Sequence, residues 1–118
     1  MPASAESFLP LTAVVFEILL ALSERPLHGY DIMREVETRT DGSVALHAGT
    51  LYRALHRLLR DRLVEELEGR PDPEDDDERR RYYALTKLGR DVAVAEARRL
   101  ASQVNAARSR RLLKGSTP

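Results

Sequence analysis

Cysteine is absent from the 118-residue chain, and so is tryptophan. Without cysteine there is no disulfide scaffold, no thiolate metal site and no thiol nucleophile, which fits a reducing interior. No apolar run approaches the ~20 residues of a membrane span, and the N-terminus has no basic start ahead of a short apolar stretch. A cytoplasmic protein is expected. The chain also lacks a glycine-rich phosphate loop and any paired Ser/His/Asp pattern, so no enzyme activity is expected. The three histidines, His28, His47 and His56, never stand i, i+4 from one another, so no metal site is expected, and no cofactor is implied. The length allows one domain, or one domain with a long appendage.

Net charge is missing as well, since nineteen basic residues balance nineteen acidic ones. The zero hides a segregated layout. Between Glu65 and Glu78 lie nine acids against Arg70 alone, and from Arg79 to Arg90 there are five basic residues and no acid. His47 to Arg62 carries Arg53, Arg57, Arg60 and Arg62 against Asp61. Such a chain can present a local basic face, to which a polyanion responds whatever the sum.

What is present reads as helices followed by a hairpin. Residues 1–10 are expected as a flexible arm. From Leu11 the positions Leu11, Val14, Val15, Ile18, Leu19 and Leu22 form an amphipathic stripe. Ser23 and Pro26 close that helix. A second helix runs from about Gly29 to Thr38 with Ile32, Met33 and Val36 inward, and Asp41-Gly42 is a turn signal. From Ala48 a third helix buries Leu51, Leu55, Leu58 and Leu59. Arg53, Arg57 and Arg60 share another face, with Tyr52 and His56 in an adjoining exposed row. Guanidinium forks reach phosphates or guanine edges, and amides at a helix start hold phosphate, so this helix suits a major groove.

After Arg62 the period falls toward 2. Leu63, Glu65 and Leu67 alternate, Gly69 to Pro73 breaks the chain, and Arg81 to Leu85 is β-prone and aromatic. These two strands form a hairpin with the acidic run between them, and at least one of Tyr82 and Tyr83 belongs to the core. The acidic run is read as a solvated loop, with a latch onto arginines as the sharper option; it lacks the glycine and final glutamate of a calcium loop. Thr86 is an N-cap, and one helix follows to about Leu113. Along it Ala93, Ala97, Leu100, Val104 and Ala107 are spaced 4, 3, 4, 3. A small domain cannot cover a helix of roughly 40 Å, so this seam is expected to pair with a second copy. The fold class is mainly α with a small β-hairpin: a winged helix-turn-helix over 11–86, a dimerisation helix over 87–113 and a tail over 114–118.

Three blocks in this order, Leu27-His28-Gly29-Tyr30-Asp31-Ile32, Gly49-Thr50-Leu51-Tyr52-Arg53-Ala54-Leu55-His56-Arg57-Leu58 and Arg81-Tyr82-Tyr83-Ala84-Leu85-Thr86-Lys87-Leu88-Gly89-Arg90, resemble the PadR family of transcriptional regulators. The single C-terminal helix is similar to its small subgroup. The resemblance implies a homodimeric repressor of a palindromic operator on double-stranded DNA, in some members relieved by a small-molecule effector. Carried over, the DNA-binding set is Thr50, Tyr52, Arg53 and Arg57 with Arg80 and Arg81 of the wing, and His28 takes a capping or packing role. An effector pocket would lie between the first helix and the last helix of the other subunit, near Phe16, Leu20 and Leu100. Three departures stand out. His47 replaces a serine-like cap, Arg62 replaces a glycine after the third helix, and the wing carries an acidic extension. The alternative function is a winged-helix protein-interaction module without DNA binding, which would not need the arginine row exposed.

Overall fold

A computed structural model describes residues 4–67 and 81–114. Four helices and three short strands follow one another as α1 (Ala13–Ala21), β1 (Leu27–His28), α2 (Gly29–Arg39), α3 (Ala48–Arg60), β2 (Val64–Leu67), β3 (Tyr82–Leu85) and α4 (Lys87–Ser109). Within the stretch expected as an arm, Ala5–Phe8 form a single 3-10 turn, and Ala5, Phe8 and Leu9 pack against the core.

Local chemistry explains where the helices start. Thr12 caps α1, its hydroxyl accepting from the Val15 amide at 3.2 Å, and Thr86 caps α4 by accepting from Gly89 at 2.9 Å. His28 caps α2: its Nδ1 accepts from the Asp31 amide at 3.2 Å, so the ring proton resides on Nε2, 3.1 Å from Asp31 Oδ2. That ring is buried and stands edge-on to Tyr82 at 5.3 Å, so His28 both caps and packs. His47, at the start of α3, makes no side-chain cap bond.

The exits of α2, α3 and α4 share one device. After α3, the Arg62 amide donates to Leu59 O and the Leu63 amide to Leu58 O, with Arg62 in the left-handed region at φ 63°. This is a Schellman ending, and the buried pair Leu58 and Leu63 supplies its apolar contact. Asp41 at φ 53° and Arg111 at φ 62° close α2 and α4 the same way.

The sheet is larger than the expected hairpin. Its order is β1-β3-β2, antiparallel throughout, with Leu27 opposite Tyr83 and Val64 opposite Leu85. Two residues are too few for β1 to show an alternating pattern in sequence, so pairing with β3 alone makes it a strand. The alternation read over Leu63, Glu65 and Leu67 also shifts. Leu63 is spent on the α3 exit, and the strand buries Val64, exposes Glu65 and Glu66 and half-buries Leu67.

One core joins all the helices: Val15, Ile18 and Leu19 of α1, Ile32 and Val36 of α2, Leu51, Leu55 and Leu58 of α3, and Val92 of α4. Tyr83 is buried among them, and burial together with nearby Glu66 pushes its phenol pKa up. No described helix is long and apolar enough to cross a membrane.

Candidate nucleic-acid interface

Burial of Leu51, Leu55 and Leu58 fixes which way the rest of α3 points. Tyr52, Arg53, His56, Arg57 and Arg60 are all exposed along the opposite face. Arg53 and Arg57 form no ion pair with any described residue, and Arg60 meets only its neighbour Asp61 at 3.6 Å. The start of this helix is open too. No side chain caps it, and a Cβ built on Gly49 would touch nothing within 4 Å. No internal contact therefore requires glycine there, while its absent side chain leaves the first-turn amides accessible from outside.

The remaining expected residues flank this face on two sides. Thr50, Arg53 and Arg57 line a shallow cleft of about 190 Å³ shared with Thr12, Val14 and Val15 of α1. Tyr52 lies on the other flank, its hydroxyl so near Gly29 that a Cβ on that glycine would come within 2.5 Å of it. From Gly29 the chain leads to the His28 ring and through it to Tyr82 on β3. Arg81 follows at the exposed start of the strand, where its Nη1 pairs with Glu66 Oε1 at 3.2 Å. Arg80 and the acidic run from Pro73 to Glu78 lie outside the described residues.

The C-terminal seam occupies one side of α4. Ala93, Leu100 and Ala107 are half-buried, and Ala97 and Val104 are exposed in the single chain. From Ala101 to Ala106 every residue is exposed, so this stretch of the helix has no cover among the described residues. Phe16, Leu20 and Leu100 are each half-buried. The larger cleft beside α4, about 770 Å³, has Ala5, Leu9, Val94 and Arg98 in its walls and none of those three.

Sequence reasoning overlooked Glu96. It is 1% exposed, yet its carboxylate accepts from the Leu11 amide at 3.0 Å and from Arg99 Nη2 at 3.0 Å, with Arg99 Nε as a further donor. The Arg99 bonds hold its carboxyl below the usual range, against the opposing effect of burial. The available signal was an acid three residues before an arginine on a helix otherwise lined with alanine.

The Transcriptional regulator PadR-like family matches residues 18–95. An uncharacterized protein of Lysinibacillus sphaericus is 33% identical over 73 residues, 62% of this chain, and the chain spans 64% of that protein's length. Among solved structures, RosR of H. salinarum is 30% identical with a TM-score of 0.62, covering 90% of this chain and 99% of its own. A PadR family transcription regulator of Clostridium difficile, 22% identical, shares the fold at a TM-score of 0.68, over 83% of this chain and 97% of its own.

Proposed function

The chain belongs to the PadR-like family of transcriptional regulators, whose members regulate through DNA and are not enzymes; from that premise we propose that it is a homodimeric repressor of a palindromic operator. The observation that carries this reading is the α3 face, where Arg53 and Arg57 stand exposed with no carboxylate partner among the described residues beside an uncapped helix start. A protein-interaction module would have no need to leave that row free.

In the proposed mechanism α3 enters the major groove. Arg53 reads a base edge, Arg57 and Thr50 hold backbone on the α1 side, and Tyr52 donates to a phosphate on the other side. The wing lies along the neighbouring backbone through Arg80 and Arg81, and Arg81 must exchange Glu66 for phosphate to do so. Two copies joined along Ala93, Ala97, Leu100, Val104 and Ala107 set the spacing of the two α3 helices. Half-sites repeat at about one turn, ~34 Å, so an effector that shifts that spacing by a few ångströms breaks simultaneous docking. A pocket formed near Phe16, Leu20 and Leu100 by the second subunit is the proposed effector site, and with no tryptophan in the chain it cannot use indole stacking.

Fluorescence anisotropy with duplex DNA from immediately upstream of the protein's own gene, titrated over salt beside a scrambled duplex, tests the reading. Selective binding that falls steeply with salt is the expected result. No binding to either duplex at low salt would overturn it in favour of the protein-interaction module.

A further inference from the structure

Tyr30 is 55% exposed, the most exposed of the four tyrosines. It directly follows Gly29, the residue against which the Tyr52 hydroxyl rests. Its ring centroid stands 6.4 Å from that of His28, which in turn meets Tyr82. Tyr30 on α2 and Tyr82 on β3 are thus linked through the His28 ring, and the Tyr52 hydroxyl of the arginine-bearing helix rests against the residue just before Tyr30. Nothing in the core needs the Tyr30 ring.

Arg34 is held in place beside it. Its guanidinium carbon sits 5.7 Å from the Tyr30 ring centroid, one helical turn on, which restrains a side chain that would otherwise sample many rotamers. Asp31 and Glu35 line a shallow cleft with it, and both are engaged elsewhere. Asp31 faces His28 Nε2 at 3.1 Å, and Glu35 accepts from Arg39 Nη2 at 3.4 Å. Arg34 itself makes no ion pair with a described residue, and Arg25 and Thr38 complete the walls of the cleft that it shares with the two acids.

We propose that Tyr30 and Arg34 form a second DNA-backbone anchor, separate from the α3 set, in which the Tyr30 hydroxyl and the Arg34 guanidinium take phosphate oxygens beside the groove that α3 occupies. The inference rests on the DNA-binding reading above and extends its contact surface from α3 onto α2. The Tyr52 hydroxyl against Gly29, the residue before Tyr30, supplies the placement, and a restrained cation beside a phenol supplies the chemistry of phosphate recognition. Such contacts fix orientation and carry no sequence information.

The test measures affinity of Tyr30→Phe and Arg34→Ala for the upstream duplex and its scrambled counterpart across several salt concentrations. Tyr30→Phe keeps the ring under Arg34 and removes only the hydroxyl. Each variant is expected to lose about three- to tenfold in affinity on both duplexes alike, and Arg34→Ala to reduce the salt slope by about 1. Arg34→Lys should recover most of that slope. Thermal melting checks that the fold is intact, as expected for two exposed positions. Wild-type binding with unchanged affinity and slope in both variants would overturn this inference alone, as would a loss confined to the upstream duplex. Failure of the wild type to bind either duplex would overturn the DNA reading and this anchor together.

Discussion

A glutamate with 1% of its surface exposed ties the segment before α1 to α4 through one backbone amide and one arginine. Its folded pKa lies below its unfolded value, so its stabilising effect is complete above the ordinary carboxylate range and is lost progressively as pH falls from that range through the lowered folded value. Glu96→Gln is expected to lower stability by about 1–3 kcal/mol at pH 7, with the gap to wild type closing on acidification toward pH 3. Urea unfolding at both pH values checks it, and a gap that stays constant with pH would assign the effect to shape alone. Arg53 presents the opposite case, a charge with no partner among the described residues and no role in the core. Arg53→Ala should leave the melting temperature unchanged and weaken specific DNA binding by about 1–3 kcal/mol, read by anisotropy against a scrambled duplex.

At the scale of elements, the turns after the helices carry strain that can be relieved. Arg62 adopts φ 63° to complete the α3 exit, a conformation that disfavours any residue with a Cβ. Arg62→Gly is therefore expected to raise stability by about 1 kcal/mol in urea unfolding. The two packed glycines differ from each other in a checkable way. A Cβ on Gly89 would lie 1.9 Å from the backbone oxygen of Leu63, where neither α4 nor the α3 exit can give way. Gly89→Ala should cost about 3 kcal/mol or more, because Thr86 and Leu63 are also hydrogen-bonded there. A Cβ on Gly29 instead meets the far end of the Tyr52 side chain, which can swing away, and a Leu51 methyl at 3.3 Å that has to give by only a few tenths of an ångström. Gly29→Ala should melt near wild type yet weaken DNA binding, by displacing the Tyr52 hydroxyl.

The whole molecule extends 53 Å along its longest axis, and α4 contributes roughly 34 Å of helix at 1.5 Å per residue. Among the described residues, cover is confined mainly to its first half. If the seam is the dimer contact, Leu100→Asp puts a charge at its centre and should yield a monomer in sedimentation. That variant should also lose the tight operator binding that requires two α3 helices at once, while keeping weak, salt-sensitive binding to any duplex. A dimer that persists would move the interface elsewhere.

Four helices, the outward arginine row of α3 and the cap at Thr86 were legible in the order of residues. Each depends on neighbours within four positions, and the 3.6-residue period records which side is buried. The departures His47 and Arg62 were visible for the same reason, and they reappear as an uncapped helix start and a left-handed turn. Contacts between distant segments decided the rest. β1 exists because Leu27 and His28 meet β3 more than fifty residues later. Glu96 is buried because Leu11, 85 residues away, presents an amide to it. Tyr52 reaches the start of α2 because Gly29 leaves room for its hydroxyl. No local period encodes such meetings, since they arise only when the core closes and brings remote backbone and side chains to one place.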